Sequence, residues 1–430
     1  MTSESSTQMG ATTEPRLEDE VAMAASGQQD ELAMPSRPRV VVLGGGVAGV
    51  TAAYELRRQL GALATITLVS NQERFTLGLA LVGVPFARRP PRVGFALAPA
   101  LKQRGVDFVH ARVDRVEPER KILHAEGREI PYEYLVIATG PRVEDIAASG
   151  MQAAALLAIH TEPAALATRA AMEGFLARPG PVVVGLARGA GYLSAAYEFV
   201  LQLDYALRRQ GTRERATIAF VTPEVHLGYL GTGVRGAQRA LERTFARRRI
   251  TVFTGAVIDH VDDGWVYLHE GTRLPASLAL ILPRLEGTPA ILQSAGLTDE
   301  FGFVPVDAQY RHQTYPEIYA AGVAARLQFS ANPPGALPKT GYLAAAAGAT
   351  VAANLAAAIQ GSTPTARTLP RLLDLRILDG GDTGLLLASA GAPLPFRIAV
   401  PLPGRTAHWA KELLVRYLLW KLRTGRTNLP

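Results

Sequence analysis

The sequence predicts an α/β fold in which two three-layer domains, each built on a parallel sheet, precede a small C-terminal unit ending in an amphipathic helix. Three observations carry this expectation. Residues 40–43 (VVVL) and 181–185 (PVVVG) are short aliphatic strands that each run into a glycine-bearing turn and then a helical pattern, the opening order of a Rossmann-like unit. The 430 residues exceed one ordinary core, so two or three domains are expected. The last apolar pattern, residues 408–422, recurs with helical spacing.

Residues 1–37 are rich in Ser, Thr, Glu, Gln and Ala and hold seven acidic against two basic residues. With little to bury, they read as a disordered acidic tail. The first domain begins at residue 38. Its strand runs into Gly44-x-Gly46-x-x-Gly49, and a helix follows to Leu60. Gly44 permits the tight turn, Gly46 lets backbone approach a pyrophosphate, and Gly49 lets helix and strand pack closely. The N–H groups of Val47, Ala48 and Gly49 then open a helix whose dipole favours anions. A dinucleotide cradle is the expectation. The second strand, residues 65–69, closes on Ser70 and Asn71, where many such folds place an acid for a ribose hydroxyl. Both can hydrogen-bond, but neither is charged. Residues 88–92 (RRPPR) read as a basic loop and residues 121–132 as a hairpin turning at Glu126-Gly127. Residues 134–137 read as a buried strand that ends in the turn of Thr139 and Gly140.

The first domain is expected to break at residue 150 and the second to occupy 151–302. The second glycine turn, with Gly185, Gly189 and Gly191, lacks the GxGxxG spacing. Helices over 192–209 and 234–249 and strands over 217–221, 250–253 and 278–282 complete the domain. Residues 303–365 are expected to return to the first domain, through a short strand ending at Gly322 and an alanine-rich helix opened by Pro338, Lys339 and Thr340. Residues 366–430 form the C-terminal unit.

Net charge is +7 and there is no cysteine. Disulfides, thiolate metal sites, iron–sulfur ligation and cysteine nucleophiles are therefore excluded, and no metal site is read. The basic body suits an acidic surface, yet no basic motif interleaved with aromatics points to nucleic acid. No basic-then-apolar leader is visible, and no apolar run reaches the roughly 20 residues that span a bilayer. The expected location is the cytoplasmic side, on the periphery of the cell membrane. There, Trp409 to Arg423 would lie on the membrane surface, with tryptophans at the headgroup boundary and Lys411, Lys421, Arg423 and Arg426 toward anionic lipid.

Gly44–Gly49, Ala138-Thr139-Gly140 and Tyr319–Gly322 together resemble flavoproteins with two dinucleotide-binding domains. Residues 189–199 (GAGYLSAAYEF), 220–224 (FVTPE) with Leu227-Gly228, 338–342 (PKTGY), His408-Trp-Ala-Lys411 and Tyr417-Leu-Leu-Trp-Lys421 are similar to the sulfide:quinone oxidoreductase family, over residues 39–425. That family sits beside type II NADH dehydrogenases and flavocytochrome c sulfide dehydrogenases. The resemblance implies FAD, held non-covalently since no cysteine can tether it, and a quinone as electron partner. It places Gly44, Gly46, Val47, Ala48, Gly49, Ser70, Asn71, Thr139, Gly140, Gly322, Lys339 and Thr340 at the cofactor. One departure is severe. Members that oxidise sulfide do so through redox cysteines, and this chain has Tyr192 at one such position and Ala324 near another. Neither side chain can form a persulfide. Glu198, Lys339 and Tyr192 are the candidate catalytic residues. Glu198 could relay protons to a quinone or be an ion-paired helix residue; His226 is a further candidate. Two other functions stay open: an NADH:quinone oxidoreductase, and a catalytically silent flavoprotein serving as a subunit or scaffold, including in a homo-oligomer.

Overall fold

A computed structural model of the chain describes residues 37–143, 156–230, 236–262, 264–327, 340–364, 374–389 and 397–429. The acidic tail, the domain boundary at 150–151, and Pro338 with Lys339 lie outside the described residues.

Strand β1 (Arg39–Leu43) leads through the glycine turn into α1 (Val47–Leu60), then β2 (Thr65–Ser70), β3 (Asp107–His110) and β4 (Tyr134–Ile137). α1 stops where Gly61, at φ 53°, turns its N–H back to the Arg57 carbonyl. The second sheet collects β5 (Leu156–Leu157), β6 (Val182–Leu186), β7 (Ile218–Thr222), β8 (Ile250–Thr254) and β9 (Leu278–Leu282). Helix α2 (Glu162–Ala177) follows β5, α3 (Leu193–Arg209) follows β6, and α4 (Ala237–Arg247) precedes β8. The chain then re-enters the first sheet through β10 (Ile318–Ala320), and α5 (Gly341–Ile359) follows.

Both sheets are five-stranded and wholly parallel, in the orders β10-β4-β1-β2-β3 and β5-β9-β6-β7-β8. Their central strands are buried on both faces and read as unbroken aliphatic runs, as parallel sheets require. In the first sheet Leu43 is level with Val69 on one side and Ile137 on the other, so three strand ends meet at the glycine turn. α5 is the one helix among the described residues long and apolar enough to cross a membrane. It packs instead on α1, so closely that a Cβ on Gly348 would lie 2.3 Å from the Ala48 carbonyl oxygen. Ala347, Val351, Ala352 and Leu355 join the first core there.

The C-terminal unit is an antiparallel sheet of β11 (Asp374–Asp379), β12 (Thr383–Ser389) and β13 (Arg397–Pro403), crossed by α6 (Thr406–Arg423). The first turn of α6 presses on β12, where a Cβ on Gly384 would meet the Ala407 methyl at 2.0 Å. Its last turns reach the first domain: Leu419 and Leu422 enter that core, and beyond the helix Thr427 donates to Glu55 at 2.6 Å. The helix is a strap across both halves of the body.

Candidate functional site

At the end of β1, Gly44 donates its N–H to the Val69 carbonyl and adopts φ 121°. A side chain there would strike the Ala138 carbonyl oxygen at 2.3 Å, and one at Gly49 would strike the Gly44 oxygen at 1.9 Å. Both positions are closed to anything but glycine. Gly46 is different: its φ is an ordinary −81°, and a Cβ would meet no protein atom within 4 Å. Sterics within the chain do not demand glycine at Gly46, which faces open space. Gly46 caps α1 without a side-chain hydrogen bond, so the first-turn N–H groups of Val47, Ala48 and Gly49 point outward with no side-chain acceptor. An uncapped helix N-terminus facing open space is shaped and polarised to receive an anion.

Around it, Ser70 is buried and accepts the Gln72 N–H at 3.0 Å, while Asn71 is exposed. Thr139 and Gly140 form the turn after β4, Gly140 at φ 68°. Gly322, after β10 at φ 69°, brings a second turn against α1, where a Cβ would lie 2.9 Å from the Ala48 methyl. Thr340 caps α5 by accepting the Leu343 N–H at 3.3 Å.

In the second domain Tyr192 precedes α3 in the left-handed region, φ 56°, and is 43% exposed. This backbone conformation is costly for a bulky residue and marks a strained turn. Glu224 follows β7, near the position where an acid would hold a nicotinamide dinucleotide's ribose. Its carboxylate is buried and turned inward, accepting from Tyr197 Oη at 2.5 Å, Thr222 Oγ1 at 3.0 Å and the Leu230 N–H at 2.6 Å. Burial beside that carboxylate drives the Tyr197 phenol far above its ordinary range. His226, half-buried, contacts the Leu227 carbonyl at 3.1 Å and lies edge-on to Tyr229.

Glu198, on α3, is buried to 2% and pairs with Lys411 of α6, itself 6% exposed. Gln202, one turn along, donates to the same carboxylate at 3.1 Å. Burial lifts the Glu198 carboxyl to about 7, with Lys411 pulling the other way. Three residues before Lys411, His408 Nδ1 lies 2.8 Å from the buried Asp379 carboxylate. Lys411, expected to face anionic lipid, is buried against Glu198 instead. The signal was present, since Ala407, Lys411, Leu419 and Leu422 share the buried face of α6 and only one of them is charged. Trp409, Leu413 and Trp420 are exposed on the other side, with the Arg405 and Arg426 guanidinium groups over the two indoles.

Residues 38–349 match the family described as pyridine nucleotide-disulphide oxidoreductase. Among curated proteins, the sulfide-quinone reductase of Aquifex aeolicus is 32% identical over 90% of this chain and 91% of its own length. An NADH dehydrogenase-like protein of Mycobacterium tuberculosis is 26% identical over 67% of this chain and 74% of its own. Among solved structures, the Aquifex aeolicus sulfide:quinone oxidoreductase superposes with a TM-score of 0.82 at 28% identity, covering 90% of this chain and 92% of that one. With a nearly full-length match in both sequence and fold, the chain belongs to the pyridine nucleotide-disulphide oxidoreductases, as a cysteine-less member of the sulfide:quinone oxidoreductase family.

Proposed function

We propose that the protein is an FAD-dependent oxidoreductase that passes electrons between a donor other than sulfide and a membrane quinone. The observation that carries this reading is an intact cradle in a chain with no cysteine. Gly44 and Gly49 admit no side chain, and Gly46 leaves open space before the α1 N-terminus. These residues fit the pyrophosphate of FAD, with Val47, Ala48 and Gly49 supplying N–H donors, and Ser70, Asn71, Thr139, Gly140, Gly322 and Thr340 the remaining cofactor positions; Lys339 joins them on the family resemblance alone. Bound FAD supplies reversible two-electron storage; the chain's own residues must position it, exclude water and deliver protons. Quinone reduction consumes two protons, and Glu198 is a buried carboxyl poised to hold or release one near neutral pH. Tyr192 cannot replace a cysteine nucleophile, so persulfide chemistry is not part of this function.

The exposed indoles of Trp409 and Trp420, with Leu413 between them, support docking of α6 on a membrane surface from the cytoplasmic side. The engagement of Glu224 with Tyr197, Thr222 and Leu230 counts against a nicotinamide in the second domain. The test is spectroscopic. Purified protein should show a flavin spectrum, stay oxidised with sulfide or NADH, and reoxidise with decylubiquinone after dithionite reduction. Bleaching by NADH would favour the NADH:quinone reading, and a flavin that no quinone reoxidises would favour the silent subunit.

A further inference from the structure

Under the first turn of α6 lie four ionisable side chains in one partly sealed cluster. Glu198 and Asp379 are carboxylates, Lys411 is an ammonium, and His408 is an imidazole. Glu198, Asp379 and Lys411 are each more than nine-tenths buried, whereas the His408 side chain is 39% exposed. Two carboxylates and one ammonium leave one uncompensated negative charge. A buried net charge is expensive, so the cluster has room for one more proton. That proton has two possible seats, the inner carboxyl Glu198 and the outer ring His408. Asp379 joins them, since its carboxylate pairs with His408 while its negative charge disfavours a second one on Glu198.

We propose that His408, held by Asp379, is a positioning residue that compensates the charge Glu198 acquires on giving up its proton, so that the two share a single exchangeable proton. The inference rests on the role proposed above for Glu198. The step balances. The Glu198 O–H bond breaks and its proton goes to the substrate, leaving a carboxylate. His408 takes a proton from water at its ring, and the cluster returns to net zero. Without that uptake, proton release would strand a negative charge in the interior.

The surrounding elements leave this partnership undisturbed. On α3, Asp204 is taken up by Arg208, Arg213 and Arg248. Asp382, in the β11–β12 turn, is held by Arg208 and Arg248. On β11, Arg376 donates to the Leu230 carbonyl. On α6, Arg405 stacks over Trp409 and Glu412 pairs with Arg416. The described side chains of β12 and β13 carry no ionisable group.

The experiment is an infrared pH titration of the full-length purified protein, following the protonated-carboxyl band that His408 variants retain and Glu198→Gln abolishes. His408→Gln keeps a donor for Asp379 but cannot be charged, and should raise the Glu198 midpoint by about one pH unit, roughly a tenfold gain in proton affinity. His408→Arg fixes a positive charge and should lower it. A purely structural His408 would not move the midpoint in opposite directions. In the dithionite-reduced, FAD-loaded protein, His408→Gln should also slow reoxidation by decylubiquinone, most at high pH. If both His408 variants leave the midpoint unchanged while Glu198→Gln still slows reoxidation, the coupling is overturned and the Glu198 reading survives. If Glu198→Gln reoxidises at the wild-type rate, both fall together.

Discussion

Replacing Lys411 with Met removes the ammonium paired with Glu198 while keeping the shape of the stem. Breaking a buried ion pair from one side costs about 3–5 kcal/mol, because the remaining charge is uncompensated. Here the carboxyl can escape by taking a proton, and the pH dependence follows from that. The folded-state value is raised from 4.5 to about 7, so the folded protein binds the proton more tightly than the unfolded chain. In the wild type, this group's contribution is fully present below about pH 4.5 and is lost as pH rises through about 7; at 1.36 kcal/mol per unit, the loss amounts to about 3 kcal/mol. Lys411→Met pushes the carboxyl higher still. The variant should therefore be nearly harmless at pH 5 and show its full cost only at pH 8–9. Since α6 is docked through this pair, the expected response is local release of the strap rather than global unfolding. Trypsin reports it, because Arg416 and Arg423 lie on the helix. A cost of about 3 kcal/mol raises the open population by roughly a hundredfold, and cleavage at pH 8 should accelerate in proportion. The double variant Glu198→Leu/Lys411→Met removes both charges and should recover most of the protection. Cleavage rates that ignore pH, or a double variant as labile as the single, would refute the reasoning.

Other outcomes follow from the same geometry. Gly46→Ala should leave the FAD-free protein within about 1 kcal/mol of wild type, because its backbone is ordinary and its Cβ meets no protein atom within 4 Å; FAD occupancy, read from the absorbance ratio, should fall at least tenfold. Gly49→Ala should instead fail on stability, since its methyl would lie 1.9 Å from the Gly44 oxygen; a normal melting profile would contradict this. Asp204→Asn, which leaves Arg208, Arg213 and Arg248 without their shared buried carboxylate, should cost about 3–5 kcal/mol by urea denaturation. Trp409→Ser with Trp420→Ser should abolish sedimentation with anionic liposomes while circular dichroism stays unchanged; retained binding removes α6 as the membrane contact.

The βα units were legible because their signals are local. Gly44 and Gly49 each answer a steric demand set within one strand, one turn and one helix, Gly46 leaves open space before the helix, and the strand at residues 278–282 falls where its aliphatic run places it. Boundaries shifted by one to three residues at both ends of elements: α4 covers Ala237–Arg247 where the sequence predicts 234–249, and β7 covers Ile218–Thr222 where it predicts 217–221. The acid after β7 was harder to read. Glu224 sits where a ribose ligand could sit, but the fold of the next loop spends it on Tyr197 and Leu230.

Two things were therefore decided by the chain's own residues. The glycine spacing determines a tight strand–turn–helix unit with an open helix N-terminus, and the absence of cysteine removes thiolate chemistry whatever the fold does. The buried Glu198–Lys411 pair could not be known this way. Glu198 and Lys411 are 213 residues apart, and a helical wheel assigns positions to faces without saying which face is covered. Only the docking of α6 across α3 and β11 turns a membrane-facing lysine into a buried counter-ion, because burial, not sequence spacing, sets what a charge must pair with.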